Sequence, residues 1–370
     1  MGQLEENRRN IINSQPHLET TTGIMNSFNT DLPLPIKQIY AYIPCTQSGS
    51  GTPSPSNVRA FSGYTSLKLQ TAGINLAPPM TAVTNNNGIT TTINSDGTVT
   101  VNGHYTRTAS AAMGNYSARY YLPAGNYYLS GGYSNNYRVQ AYDYNGNGNG
   151  YSTSSTTPIA YEPATPYSGY IRLYVYYSSS MPDAENIILY PMLRLQTQGD
   201  GTFVKYEGTQ DSYSWSSTAG TIYGGYLDPI NGTVTVTHAK ASCDGTISFD
   251  YGELEYTSRF AKKITALGFA APKAEQQLVP FNYLASNDSI STEWSGHIRE
   301  NGIVYVYLPK SYNSKTAFSN YLSQNPLEFV YELAEPVTYS LTGKTFTALK
   351  GYNNIWTNIG GNVKVTYWTH

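Results

Sequence analysis

A tyrosine-rich stretch from Gly114 to Tyr177 places the strongest constraint on the fold. It holds sixteen of the chain's 36 tyrosines, interleaved with Gly, Asn and Ser and with few charges. Parts of it alternate with the period of two that is typical of β-strands, as in YIRLYVYY at residues 170–177. Because successive strand side chains point to opposite faces, we expect about half of these rings to fill a sandwich core. The others would form a surface, where tyrosine offers a stiff ring with a polar tip.

The overall composition also favours strands. Charged residues make up only 12 % of the chain, about half the usual share, and Thr, Ser, Asn, Gly and Tyr favour strands and turns. Asp96-Gly97 and Asn301-Gly302 each separate two strand-like runs and predict hairpins. We therefore predict a mainly β fold, with a jelly-roll β-sandwich, a second β-sandwich-like platform and a short N-terminal helix.

The same patterns suggest an order of domains. Residues 1–23 would form an N-terminal helical attachment segment, and 24–74 the first part of the β platform. Residues 75–207 would form the tyrosine-rich jelly-roll domain, which is of ordinary domain size, and 208–370 the second part of the platform. The jelly roll would then be inserted into a discontinuous platform, and three consecutive domains are the alternative. The four tryptophans lie outside the jelly roll and are interpreted as platform core or interface residues: Trp215, Trp294, Trp356 and Trp368.

The attachment segment carries a thin apolar stripe of Leu4, Ile11 and Ile12 within a helix candidate over residues 3–14, which Pro16 ends. A helix this short is marginal alone, so we expect it to pack against a neighbour or against copies of the chain, as in a homotrimer. A frayed leader is the alternative. A second helix is predicted in KTAFSNYLSQNP, residues 315–326.

Charge and hydropathy patterns exclude several partners. The formal net charge of −2 provides no basic field for nucleic acid or an anionic membrane. There is no run of about eighteen apolar residues to span a bilayer, and the polar start MGQLEENRRN predicts no signal peptide. We expect neither nucleic acid nor membrane as a partner.

Motifs for catalysis and metal binding are missing from the sequence. None of the five histidines has a partner at metal-ligand spacing, and there is no nucleophile elbow or phosphate-binding loop. The carboxylate pairs Asp183/Glu185 and Glu253/Glu255 are neighbours of a kind that occurs often by chance. We predict that the protein is not an enzyme and has no cofactor.

Two further features are interpreted as structural. The run Asn145–Asn149 next to Asp143 superficially resembles a calcium loop but lacks the carboxylates that calcium prefers, so a structural calcium is only a remote alternative. Cys45 and Cys243 lie far apart and are predicted to be free thiols rather than a disulfide.

A glycine-broken part of the tyrosine-rich stretch has the composition of a binding loop on a rigid frame. Sugar binding needs aromatic faces together with amide and hydroxyl groups, and a tyrosine-rich contact between subunits needs the same composition. Both remain open, while strands such as YIRLYVYY are interpreted as frame. The predicted ligand-binding residues are Tyr133, Asn135, Asn136, Tyr137, Tyr142, Asp143, Tyr144, Asn145 and Tyr151.

Several segments of the sequence resemble those of a known family. GSGTPSPSNVRAFSGY, IYGGYLDPINGTVTVTHA and FVYELAEPVTYSLTGKTFTALKGYNNIWTNIGGNVKVTY are similar to structural proteins of tailed phages and prophages of gut Firmicutes. NLAPP, SDGTVTVNG, LPAGNYYLSGG and YPMLRLQ resemble the carbohydrate-binding-like jelly-roll module of such proteins.

The resemblance implies a virion component, a tail, baseplate or fibre protein that contacts other virion proteins and adheres to host cell-surface glycan. A capsid decoration or baseplate subunit without a ligand is the alternative, and a glycan-cleaving depolymerase is a remote one. Head and tail positions remain open.

Overall fold

The computed structural model describes residues 17–30, 36–143, 148–165, 167–246, 248–254, 256–341, 346 and 351–369. Within them the fold is mainly β with several sheets, as predicted, and has one α-helix, α1 (Lys315–Gln324), and one 3-10 turn (Ile264–Leu267).

The strands of the N-terminal half, in chain order, are β1 (His17–Gly23), β2 (Met25–Thr30), β3 (Ile36–Ile43), β4 (Thr46–Gln47), β5 (Phe61–Ser62), β6 (Ser66–Ala72), β7 (Val83–Asn86), β8 (Ile89–Ile93), β9 (Val99–Gly103), β10 (Ala111–Tyr116), β11 (Tyr120–Leu122), β12 (Tyr127–Ser130), β13 (Tyr137–Asp143), β14 (Gly148–Ser152), β15 (Ile159–Tyr161), β16 (Tyr167–Val175), β17 (Ala184–Leu189) and β18 (Met192–Leu195). Those of the C-terminal half are β19 (Gly208–Ser214), β20 (Gly225–Asp228), β21 (Thr233–Cys243), β22 (Asp250–Glu253), β23 (Thr257–Lys263), β24 (Ala285–Ser286), β25 (Ser295–Ile298), β26 (Ile303–Pro309), β27 (Leu327–Ser340), β28 (Gly351–Thr357) and β29 (Val363–Thr369).

The chain divides into two compact units, as far as their described residues go. The first is made of Met1–Ile39, Lys68–Ser212 and Phe346–His370, and the second of Tyr40–Leu67 and Tyr213–Thr345. The predicted jelly-roll range lies inside the first unit, whereas the two predicted platform ranges are distributed over both units.

Three sheets of the first unit surround one core. They have the strand orders β10-β16-β13-β14 (with β11 also on β16), β15-β12-β18 and β17-β9-β8-β7. The described inward side chains of β13 and β16 are fully buried: Tyr137, Val139, Ala141, Ile171, Leu173 and Val175. Packed aromatic and aliphatic side chains therefore fix which face of these strands is turned away from the core.

The predicted hairpin at Asp96-Gly97 is present between β8 and β9. The strands pair antiparallel with Ile93 opposite Val99, and Gly97 takes a φ of +87°, which glycine adopts without steric cost. The carboxylate of Asp96 accepts hydrogen bonds from the backbone N–H and the hydroxyl of Thr98. Local turn chemistry fixes this register.

The chain ends of the first unit are joined by strand pairing. β1 pairs antiparallel with β29, and β28 pairs with both β2 and β6. Residues His17–Gly23, assigned above to the helical attachment segment, are thus a strand, and the threonines of HLETTTG suit one. The helix predicted over residues 3–14, with Leu4, Ile11 and Ile12, lies outside the described residues.

Trp356 on β28 packs into the core of the tyrosine-rich module, where only 1 % of its surface is exposed. Its indole N–H donates to the carbonyl oxygen of Tyr121 over 2.6 Å, which satisfies the polar tip of the ring. The assignment of Trp356 to a separate platform core is therefore corrected. Trp215, in contrast, is buried in the second unit and donates to the carbonyl of Tyr64.

The second unit contains a long antiparallel pair, β21 with β27, and a sheet of order β22-β23-β26-β25-β24. The predicted second helix is confirmed as α1, with Ser314 as its N-cap and Phe318 and Leu322 buried. Phe318 stacks on Phe260 of β23 at 3.9 Å between ring centroids. The hairpin predicted at Asn301-Gly302 is present between β25 and β26.

Both cysteines are free, as predicted from their separation and their strand-like surroundings. Cys45 is exposed and Cys243 is buried. Burial raises the pKa of the Cys243 thiol to about 12, so this thiol stays protonated at neutral pH.

Candidate functional site

The outer face of the β10-β16-β13-β14 sheet carries aromatic and cationic side chains. Along β16 the inward residues alternate with Tyr170, Arg172 and Tyr174, which are partly exposed, and Tyr176 follows directly after the strand and is exposed. The alternation along β16 thus builds a core on one side of the sheet and a surface on the other.

Arg172 lies between two tyrosine rings. Its guanidinium carbon is 3.5 Å from the ring centroid of Tyr142 and 5.3 Å from that of Tyr174. Its Nε–H donates to Oε1 of Gln140 over 2.6 Å. Stacking and this hydrogen bond hold the guanidinium flat on the sheet.

Arg138 repeats this arrangement at the end of the sheet. Its guanidinium carbon is 4.3 Å from the ring centroid of Tyr176 and 5.6 Å from that of Tyr151. Its Nε–H donates to the carbonyl oxygen of Asn135. The rings of Tyr151 and Tyr174, 5.3 Å apart, connect the two arginine sites.

Tyr170 extends the surface towards β10. Its ring stacks on Tyr142 at a centroid distance of 5.4 Å and meets Tyr116 edge-on at 5.0 Å. Tyr116 lies opposite Arg172 in the strand register. We call the whole surface the tyrosine–arginine face, and it consists of Tyr116, Arg138, Gln140, Tyr142, Tyr151, Tyr170, Arg172, Tyr174 and Tyr176.

Gln140 is the polar centre of this face. It lies opposite Arg172 on β16 and opposite Tyr151 on β14, and it is 0 % exposed. Its Oε1 accepts from Arg172, whereas its buried Nε2 has no hydrogen-bond partner among the described residues. A buried amide N–H without a partner is costly, and neighbouring side chains of the face cover this one.

The electrostatics of the face are set by its cations. In the described part of the chain neither Arg138 nor Arg172 forms an ion pair. Burial raises the pKa of Tyr174, and the nearby ring of Tyr151 raises it further, so its phenol is neutral and keeps a hydroxyl for hydrogen bonding. Such a surface offers ring faces for C–H groups and N–H or O–H groups for polar ligand atoms.

The structure places the predicted ligand-binding residues in several environments. Tyr142 and Tyr151 belong to the tyrosine–arginine face. Tyr133 is 59 % exposed and Asn135 is also exposed, beside the start of β13. Asn136 is engaged internally, since its amide donates to the carbonyl of Tyr176 and to Ser178.

Tyr137 is not part of a surface. Its ring is 0 % exposed and its hydroxyl donates to the carbonyl oxygen of Pro182 over 2.9 Å, so we remove it from the candidate site. It is the first residue of β13 and points inward like Val139 and Ala141. The side chain of Asp143 and all of Tyr144 and Asn145 lie outside the described residues.

Sequence reasoning missed most of the face because it treated the alternating strands as frame. The residues it missed are Tyr116, Arg138, Gln140, Tyr170, Arg172, Tyr174 and Tyr176. A signal was present, since aromatic or cationic residues recur at every second position from Tyr170 to Tyr176. The sequence could not show that Arg138 and Gln140 lie beside these residues, because that depends on strand register.

Three of the four carboxylates considered for catalysis are exposed: Asp183, Glu185 and Glu253. Asp183 shares a hydrogen bond with His104, and Glu185 lies on β17. Glu255 lies outside the described residues. Across the residues that the structure describes, no group of three or more His, Cys, Asp or Glu could hold a metal ion, and no helix is both long and apolar enough to cross a membrane.

Comparison with known proteins returned no family model, curated protein or solved structure that matches this chain. The candidate site is therefore described by its own geometry, as an aromatic and cationic face on a β-sheet.

Proposed function

We propose that the protein is a non-enzymatic structural component of a tailed-phage virion that adheres to host surface glycan through the tyrosine–arginine face. The observation that carries the adhesion is the run of stacked tyrosine and arginine side chains over four strands of one sheet. The virion role is supported by the sequence segments that resemble those of phage structural proteins. In this proposal the protein is a fibre or tail-tip appendage and contacts other virion proteins.

A sugar ring suits this face for physical reasons. Its C–H groups pack on aromatic rings, and its hydroxyls need donors and acceptors at fixed positions. The rings of Tyr142 and Tyr174 flank Arg172, and Gln140 lies opposite Arg172 on the neighbouring strand β13. Stacking has already ordered these side chains, which lowers the entropy cost of binding.

A glycan array probed with the full chain tests the adhesion. We expect bacterial wall polysaccharides to bind the native chain, and Tyr142→Ala to lose most of that signal. Tyr256→Ala is the matched control, since Tyr256 is 56 % exposed in the second unit and should bind as the native chain does. An array on which nothing binds, or on which both variants behave alike, would contradict adhesion by this face.

A second function, a purely structural contact between virion subunits, is favoured by the same composition. Tyrosine and arginine are enriched in protein interfaces and their energetic centres, so copies of this chain, as in a trimer, could cover the face. Light scattering gives the oligomeric state, and iodination of Tyr142 and Tyr151 in the particle reports on coverage. Protection of both rings would favour the subunit contact over adhesion.

A further inference from the structure

We infer that the ligand of the tyrosine–arginine face is a negatively charged glycan, one that carries carboxylate or phosphate groups along its chain. This inference rests on the proposed adhesion and adds the chemical class of the ligand. Its basis is the juxtaposition of Arg138, Arg172 and the amide of Gln140 on one face.

The first step concerns the two guanidinium groups. Each uses its Nε–H for a contact inside the protein, to Asn135 or to Gln140. Their terminal amino groups are left as donors on the face, and among the described residues no carboxylate pairs with either group. Arginine prefers carboxylate and phosphate oxygens, which match its planar pair of N–H groups.

The second step concerns Gln140. The Oε1 of Gln140 accepts a hydrogen bond from Arg172, which fixes the orientation of the amide. The other amide atom, Nε2, is buried and has no hydrogen-bond partner among the described residues. It can only donate, so its missing partner is an acceptor. A ligand oxygen reaches this nitrogen only where the side chains that cover Gln140 move apart, and it then satisfies a donor that is costly to leave unpaired.

The third step concerns charge. A cationic ligand would meet two arginines that have no carboxylate partner among the described residues, and a neutral glycan would leave their charge uncompensated. An anionic chain satisfies the arginines and the amide together, while the tyrosine rings contact the sugar or polyol carbons. Complementary charge of this kind sets specificity and speeds encounter.

The inference is tested by titrating the full chain with pairs of polymers that share a backbone and differ in charge. The carboxylate arm compares polygalacturonate with its methyl ester, and the phosphate arm compares poly(glycerol phosphate) with polyglycerol. We expect at least one anionic polymer to bind about tenfold or more tightly than its neutral counterpart. The binding should weaken as salt rises, because mobile ions screen exposed charges. The arm that responds identifies the charged group.

Two variants assign the effect to the face. Arg172→Met should lower the affinity for the anionic polymer by about tenfold and leave weak binding of the neutral one unchanged. Arg299→Met is the control, since Arg299 is exposed and, like Arg172, lies over a tyrosine, 4.7 Å from the ring centroid of Tyr305, but in the second unit.

The outcomes separate this inference from the proposed function. Equal binding of charged and neutral polymers, with Arg172→Met like the native chain, overturns the charge inference and leaves glycan adhesion standing. Polyglutamate that binds as tightly as polygalacturonate overturns the adhesion to glycan but not the preference for anions. A chain that binds none of the five polymers overturns both.

Discussion

Replacing Tyr137 and Tyr133, four residues apart, tests how the fold divides its tyrosines between core and surface. Tyr137 is 0 % exposed and Tyr133 is 59 % exposed. Truncating a buried aromatic ring costs about 3–5 kcal/mol of unfolding free energy, whereas an exposed side chain without special contacts costs about 0.5 kcal/mol or less. We therefore expect Tyr137→Ala to be strongly destabilising and Tyr133→Ala to be nearly neutral.

A third variant separates the ring from its hydroxyl. Tyr137→Phe keeps the packing but removes the hydrogen bond to the carbonyl of Pro182, which is worth about 1 kcal/mol. The order of destabilisation is therefore Tyr137→Ala, then Tyr137→Phe, then Tyr133→Ala. Because the chain has two units, a single unfolding midpoint is not sufficient, and hydrogen exchange of peptides from β13 and β16 in a urea series gives the free energy locally. Equal effects of the two alanine variants would refute the assignment of Tyr137 to the core.

Three further predictions concern stability. Burial raises the pKa of Tyr137, Tyr206 and Tyr331 from 10.0 to about 12 each, so the folded chain keeps protons that the unfolded chain loses. The stability that this contributes should be fully present below about pH 10 and fall above it by about 1.4 kcal/mol per pH unit for each tyrosine. Urea denaturation between about pH 9 and pH 11 will measure this loss. Gly131→Ala should cost more than about 3 kcal/mol in thermal denaturation, because Gly131 has a φ of +104° and an added Cβ would overlap the carbonyl oxygen of Tyr190. Ser314→Ala should cost about 1 kcal/mol in the same assay, because its hydroxyl caps α1 by accepting from the N–H of Ala317 over 3.1 Å, and an unchanged melting temperature would contradict this role.

Features encoded by neighbouring residues could be predicted from the sequence. The hairpins at Asp96-Gly97 and Asn301-Gly302 and the helix α1 depend on local turn chemistry and on periodicity, and all three are present. The mainly β class follows from the same signals. In each case the residues that determine the element are close together in the chain.

Features that depend on distant contacts could not be predicted. Trp356 joins a core whose other members come from much earlier in the chain, and its partner Tyr121 is 235 residues away. The glycines before Tyr137 favoured a loop, but β13 begins at this residue, and strand pairing then turns its ring inward. Strand register likewise places Arg138 and Gln140 beside β16, so the candidate site could be identified only from the folded sheet.

The most direct test of the central claim is the binding of the full chain to purified cell walls from a panel of Gram-positive gut bacteria. The native chain and Arg299→Met should be retained by the walls of at least one species. The double variant Arg138→Met/Arg172→Met should remain in the supernatant, with its melting temperature close to that of the native chain. Equal retention of the double variant, or retention of none of the proteins by any wall, would contradict adhesion by the tyrosine–arginine face.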